Sequence, residues 1–463
     1  MKKVAIVGGG VTGAVAASQL ARLLGPLCRV TLFDQGRGLG GRCSHRRVSA
    51  VDGARLDAEE SGGVAAFAFD HGCQFFRADT AEFREVVLEQ WLREGCCEEW
   101  KGRFGSIGEE ARDFFGVGPA AAAQRVFCGV GGMHAIVCGA VRNAVGVAEN
   151  VGGTLEVKAG VRVGGLERLE LGGRSRWQLL GVEGDLAYHD TKRNDKAVEQ
   201  RASNALGTFD YVLVTDASAA MAGWHRASAG LPRSFVDSAA KRVRDRVRVA
   251  LFTAMVAFEE AVPTDLDAIT FDNDTLWFAA RTTSKPGFGE HGREICGDCW
   301  TLVCTPAYAA AEISRVPMQD PKTGAFRPQS PSSLEAPARA LLAAFEDALG
   351  LADLPQVQYI AAQRWGSAMP APTHLAGFDS NGQSATTKEI VGVLYDSSKH
   401  LPLAPQQEDQ MKEAAAKVDD FVHDPDNGLY YAGDFCSPSP PGVESAALSG
   451  LHAAQSIALS ISQ

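Results

Sequence analysis

The sequence predicts an α/β fold in which a three-layer domain on a parallel sheet is joined to a second, α+β domain built on an antiparallel sheet. Three fragments carry the first half of that prediction. They are Val4 to Gly13 (VAIVGGGVTG), then Asp34 with Gly40, Gly41 and Arg42 (FDQGRGLGGR), and Gly428 to Gly450 (GLYYAGDFCSPSPPGVESAALSG). The second half rests on three strand-like runs between Val247 and Cys304.

In the first fragment the apolar run Val4–Val7 suits a buried parallel strand, and the alanine-rich stretch Ala14–Leu24 suits a helix. Between them lies Gly8-x-Gly10-x-x-Gly13, the spacing of a dinucleotide-binding turn. Gly8 permits the turn, Gly10 lets the backbone approach a pyrophosphate, and Gly13 allows helix to pack closely on strand; Thr12 stands in the same turn. The helix start then presents unpaired N–H groups and a partial positive charge to phosphates. A second apolar run, Val30–Phe33, ends in Asp34, where the fingerprint places an acid for the ribose hydroxyls. A chain with 50 Gly among 463 residues produces the spacing by chance, so the strand before it, the helix after it and the acid decide for a Rossmann-type unit. They do not separate one dinucleotide from another.

With 45 basic against 56 acidic side chains, the net charge of -11 argues against a nucleic-acid partner or an anionic membrane surface. The chain has no uninterrupted apolar run of the ~18 residues that spanning a bilayer needs. A strand beginning almost at Met1 leaves no room for a signal peptide, and the expected location is cytoplasmic. The 11 cysteines, odd in number and without framework spacing, fit reduced thiols. Cys296-Gly297-Asp298-Cys299 is a CxxC, but zinc would need a second ligand pair and a redox dithiol a thioredoxin-type unit. No metal site is expected, the redox role of Cys296 and Cys299 stays open, and Cys96 and Cys97 read as small buried apolar residues.

The discontinuous cofactor domain is assigned residues 1–84, 124–217 and 401–463, and the substrate domain residues 85–123 and 218–400. Short strands are expected at Leu155–Val157 and Val161–Val163, and Phe209–Thr215 is expected to return the chain to the edge of the cofactor domain's sheet. Residues 184–207 are polar without apolar periodicity, and residues 317–337 are rich in Pro and Ser; both read as surface insertions. Val247–Phe258, Thr275–Arg281 and Cys299–Cys304 are strand-like by their β-branched and aromatic content, and Leu334–Leu349 has helical periodicity.

Asp34 followed by Gly40-Gly41-Arg42 resembles the acid-to-GGR segment of the flavin amine oxidase superfamily, and Ala432-Gly433-Asp434 with Gly442-Val443-Glu444-Ser445-Ala446 resembles its closing motif. Within that superfamily the chain is most similar to renalase-like oxidoreductases. Asp70-His71-Gly72-Cys73-Gln74-Phe75-Phe76 is similar to their D-x-G-A-Q-(Y/F) stretch, Gly131-Gly132-Met133 to a turn before a helix, and Arg364-Trp365 to a late (K/R)-W pair. The resemblance implies a site for FAD. Its residues would be Gly8, Gly10, Thr12, Gly13, Asp34, Gly40, Gly41, Arg42, Gln74, Val163, Gly433, Asp434, Gly442, Val443 and Ala446, with Arg42 a donor to the pyrophosphate and the backbone of Val163 against the adenine. Covalent flavin would need a Cys before the Gly-Asp pair; Cys436 follows it, so FAD is expected to be non-covalent.

A bound flavin leaves orientation, electrostatics and exclusion of water to the protein. Phe75, Phe76, Trp277, Trp300 and Trp365 are candidates for an aromatic wall, and His71 for a base or donor; each is equally at home in a core. Gly442 stands where amine oxidases typically carry a cage Tyr, and by the same resemblance Glu259 stands where they carry a Lys. Both departures weaken simple amine oxidation. The implied activity is an oxidase taking a hydride from a small reduced substrate, such as an isomeric reduced nicotinamide dinucleotide, with oxygen as acceptor. A flavin amine oxidase or desaturase, and a flavin-bound binding protein without turnover, are the alternatives.

Overall fold

The computed structural model describes residues 1–56, 66–108, 125–172, 174–183, 204–216, 228–244, 248–289, 295–318, 327, 329–351, 353–370 and 419–463. Its first sheet has six strands in the order Phe421–Asp424, Leu429–Ala432, Tyr211–Val214, Lys2–Val7, Cys28–Asp34, Thr154–Ala159. Every neighbouring pair is parallel except the Phe421–Asp424 and Leu429–Ala432 hairpin.

Side chains alternate across this sheet with the two-residue period of a strand. Val4, Ile6, Val30, Leu32 and Leu213 enter one core with the helices Val11–Leu24, His134–Asn150 and Val443–Ser462. Ala5, Val7, Phe33, Val212 and Val214 enter a second core against a three-stranded antiparallel sheet, Val161–Leu171, Arg174–Glu183 and Asn204–Phe209. Helices, parallel sheet and antiparallel sheet make three layers, the number the sequence predicts, and the antiparallel third layer was not foreseen.

Three readings change. Phe209–Thr215 is not one edge strand: Asn204–Phe209 closes the antiparallel layer, while Tyr211–Val214 lies inside the parallel sheet because Leu429–Ala432 pairs beyond it. The strand foreseen at Val161–Val163 runs on to Leu171, since its long hairpin partner covers the parallel sheet. The segment 317–337 is not loop throughout: a helix, Pro331–Leu349, starts inside it, with Ser330 and Ser333 capping reciprocally. Pro331 sits in the first turn, where its missing N–H costs nothing. Most of the 184–207 segment lies outside the described residues.

The second sheet runs Val357–Pro370, Arg248–Phe258, Asp298–Cys304, Leu276–Arg281, Ala268–Phe271, Phe104–Ile107 and is antiparallel until its last, parallel pair. All three foreseen strands are in it. A small sheet, Arg55–Leu56, His45–Ser49 and Ala66–Asp70, lies between the two halves, its Val48, Phe67 and Phe69 packing with Met255, Ala257 and Cys299 of the second sheet.

Candidate functional site

The three sequence fragments meet at one end of the parallel sheet. Gly8 has φ +110, its N–H donates to Phe33 O at 2.8 Å, and a Cβ there would press on the Thr215 hydroxyl, so only glycine makes this turn. Gly13 is needed for packing: its Cβ would lie under 3.0 Å from Gly8 O. Gly10, at the N-terminus of the Val11–Leu24 helix, is different, because a Cβ there would meet no atom of the described residues within 4 Å. Gly41 reaches the same place, a Cβ on it standing 3.3 Å from Gly10 Cα, and Gly40 donates to Gly9 O at 2.9 Å.

Asp34 is buried, and both its oxygens accept backbone hydrogen bonds at 2.6 Å, from Gly9 N–H and Gly36 N–H. Burial raises its pKa, and the two N–H groups work the other way. The carboxylate therefore clamps the turn to the loop after the second strand, with lone pairs left for a ribose.

The closing fragment joins through Arg42. Its guanidinium makes a bidentate pair with Asp434, at 2.7 and 2.6 Å, and Nη1 also donates to Ala368 O at 3.2 Å. Burial works against the Arg42 charge, but the carboxylate of Asp434 outweighs it and raises its pKa. Arg42 keeps about a third of its side chain exposed, 36%, against 2% for Asp434. It thus acts first as a tie between fragments, where the resemblance implied a donor to pyrophosphate. Gly433, at φ +137, lies near the Thr12 hydroxyl and donates to Ser449 Oγ at 2.8 Å. Gly450 fits under Thr12 O, where a Cβ would come under 3.0 Å, so the last helix packs directly on the first.

Gly442 caps the Val443–Ser462 helix, and a Cβ on it, as on Gly10, would meet nothing within 4 Å. Two helix N-termini thus stand with backbone that no described residue covers, which fits a bound dinucleotide. Val443 and Ala446 are buried in the helix's first turns, and Glu444 accepts from Asp79 N–H at 2.7 Å and Thr80 N–H at 2.9 Å. Val163 is at an irregularity of the Val161–Leu171 hairpin, in the core that also holds Phe33.

A second constellation was not foreseen. Lys285, fully buried, donates to Asp70 Oδ2 and Gln74 Oε1, each at 3.0 Å. Asp70 Oδ1 is 3.0 Å from His45 Nδ1 and accepts Met133 N–H at 2.8 Å. Although burial opposes the Asp70 charge, Lys285 and His45 hold its carboxyl well below the usual range. Gln74, expected at the cofactor, commits its amide here, donating to Asp70 O and Gly72 O. The network connects His45, the 70–76 segment, the Gly131–Met133 turn and the second sheet. Sequence offered Asp70 as part of a motif; Lys285 had no signal except the turn-forming Pro286-Gly287 behind it.

His71 is buried and, through burial and the nearby Arg46 and His45, has a pKa well below the ordinary value, so the ring is neutral. Its Nδ1 has no hydrogen-bond partner among the described residues. Trp365 donates to His71 O at 2.7 Å with the rings 5.4 Å apart, and strand alternation turns Arg364 away to Arg327 O. Phe75 packs between Trp100 and Phe278, and Trp277 is half-buried. Phe76 and Trp300 are core aromatics and form no wall: Phe76 packs with Phe83, Trp91 and Phe127, and Trp300 with Phe345.

Cys299 lies buried in its strand, burial pushing the thiol up to about 12, and Cys96 and Cys97 are buried as expected. Among the described residues no group of three or more His, Cys, Asp or Glu is placed to hold a metal ion, and no helix is long and apolar enough to cross a membrane.

Comparison with known proteins bears on the fold. Residues 6–89 match the NAD(P)-binding Rossmann-like domain family. A putative protoporphyrinogen oxidase from Exiguobacterium is similar over 99% of both chains, at 12% identity and TM-score 0.51. Cyclohexylamine oxidase from Brevibacterium oxydans is similar over 100% of both chains, at 12% identity and TM-score 0.53. Reduced UDP-galactopyranose mutase is similar over 98% of this chain and 93% of its own, at 10% identity and TM-score 0.54. The fold is therefore a Rossmann-like domain coupled to a second domain on a mostly antiparallel sheet.

Proposed function

We propose that this chain is an FAD-dependent oxidoreductase of the flavin amine oxidase type that holds FAD without a covalent bond and acts as a renalase-like oxidase. The observation that carries the reading is the convergence of Gly10, Gly41, the Arg42–Asp434 pair and Gly433 beside two uncovered helix N-termini. Two of the three neighbours are named as oxidases, which supports the class through a shared fold. When bound, FAD supplies a hydride acceptor that oxygen reoxidises with release of hydrogen peroxide.

The chain's own residues do the rest. Backbone N–H groups at the helix starts Val11 and Val443 would hold the phosphates and the flavin ring of a bound FAD, since the partial charges there favour negative charge. Asp34 would hold a ribose of the bound cofactor with the lone pairs its loop contacts leave free. Trp365 fixes the backbone of His71, and His71, being neutral, offers a donor or acceptor without adding a charge.

The substrate proposed is a small reduced molecule, with an isomeric dihydronicotinamide dinucleotide first. Support comes from Gly442, which stands where a cage Tyr would be and beside which a Cβ would meet no atom of the described residues within 4 Å. The test is anaerobic mixing with isomerised NADH, normal NADH, primary amines and polyamines, following flavin absorbance. Bleaching by the isomerised dinucleotide alone supports the reading; bleaching by an amine replaces it with amine oxidation.

A further inference from the structure

The small sheet between the two halves turns one face to the strand Val357–Pro370, and on that face Val48, Phe67 and Phe69 pack against Tyr359 and Ala361. Arg46 continues the face, since it pairs with Phe69 across the ladder, and its Nη2 donates to Gln363 Oε1 at 2.9 Å. The next side chain on the Gln363 side of the strand is Trp365, which is bonded to His71 O and stacks near the His71 ring. Ala368, to which Arg42 is tied, follows. Gln363, Trp365 and Ala368 thus set Arg46, His71 and Arg42 in a row on the order of 15 Å long at the rise of a strand, with Arg46 at the end away from the Arg42–Asp434 pair.

Arg46 differs from Arg42 in having no acid. It is half-buried, it makes no ion pair among the described residues, and the side chains on the strand face opposite it, Gln363 and Tyr359, are not acids. Its Nε is buried without a hydrogen-bond partner among the described residues, and so is Nδ1 of His71, a side chain only 5% exposed. The pairing of Val48 with Arg55 puts a further arginine on the same face, one strand along. Burial lowers the Arg46 pKa, and the charge of Arg55 works in the same direction. A partly buried cation with a like neighbour and no counter-ion is costly for the protein alone. Donors left unpaired in such a place are where the oxygens of a ligand would be bound.

We propose that Arg46 and His71 receive an oxyanion of the substrate, a carboxylate or a phosphate, and so restrict the site to substrates that carry negative charge.

This assignment rests on the oxidase reading above and names the substrate class for that same site. The two side chains have different tasks. Arg46 supplies the charge and a planar set of donors that suits an oxyanion. His71, without a charge of its own, adds a ring N–H at the reacting end of the row. An isomeric dihydronicotinamide dinucleotide brings an oxyanion in its diphosphate. An amine substrate, an ammonium ion at neutral pH, would instead meet two arginines of its own sign.

The test is binding without turnover. The full-length protein, saturated with FAD, is titrated calorimetrically at constant ionic strength with benzoate, with phenyl phosphate and with benzamide, which has the shape of benzoate and no charge. The expected result is that at least one of the two anions binds about tenfold or more tightly than benzamide, and the tighter of the two identifies the oxyanion. Arg46→Gln should bring the anions down to the level of benzamide, Arg46→Lys should recover part of the preference, and His71→Phe should lose a smaller share. Benzamide binding as tightly as both anions, or no binding of any of the three, overturns the proposal in the wild type alone, whether or not the variants fold. So does a folded Arg46→Gln protein that keeps the full preference. The visible spectrum of the same samples keeps the two failures apart: a flavin-loaded protein without anion preference overturns this proposal only, and a protein that takes up no flavin overturns the oxidase reading and this proposal with it.

Discussion

Arg42 and Asp434, 392 residues apart, form a bidentate ion pair that joins the loop after the second strand to the segment before the last helix. The charge-assisted fork fixes both position and orientation. It is the shortest physical statement of why a domain split along the chain closes around one site.

Arg42→Ala should therefore cost more than a surface pair does. Asp434 is almost fully buried and would lose its bidentate partner, while solvent reaching Arg42 tempers the loss. The expected destabilisation is about 1 to 3 kcal/mol by urea unfolding, with flavin content falling in parallel. Arg42→Lys should recover less than half of it, because an ammonium does not reproduce the fork.

The glycines should divide into two kinds. Gly10→Val adds its side chain to space that no described residue occupies, so stability should stay within about 0.5 kcal/mol of wild type, and the flavin should be lost. Gly13→Ala drives a Cβ into Gly8 O and should cost about 1 to 3 kcal/mol before any cofactor is considered. Thermal unfolding of the two apo-proteins separates these outcomes.

Lys285→Met should destabilise by about 3 to 5 kcal/mol, because it leaves the Asp70 carboxylate buried without its cation. Adding Asp70→Asn should restore part of that loss. If the double variant were no more stable than Lys285→Met alone, Lys285 would matter for packing and not for charge.

His452 gives a pH signature. Its ring bridges Asp420 and Glu82, and the Asp420 hydrogen bond, offset in part by burial and aided by Glu82, raises its pKa to about 9. A raised folded-state value means stability that is complete below the ordinary pKa of about 6.5 and fades as pH climbs to about 9. About 1 to 2 kcal/mol should disappear across that window after allowance for solvent, and His452→Gln should flatten the curve between those limits.

How much of this was legible in the sequence depended on whether the physics was local. The Gly8–Gly13 turn and the strand ending at Asp34 were readable because glycine spacing and apolar runs dictate them over a few residues. The position of Tyr211–Val214 inside the sheet was not, since it depends on Leu429–Ala432 pairing from the far end of the chain. The start of the helix at Pro331 was hidden because Pro and Ser serve both loops and helix N-termini. Lys285 illustrates the limit: a lysine is usually a solvated charge, and only the fold brings Asp70 and Gln74 to it.

The central claim is that one FAD occupies the place where the three fragments meet, held without a covalent bond. The measurement that tests it most directly is the visible spectrum of the purified protein, followed by heat denaturation and chromatography of the released cofactor. The account predicts flavin bands and about one FAD per chain in the supernatant, with none left on the precipitated protein. A colourless protein that takes up no added FAD would contradict it.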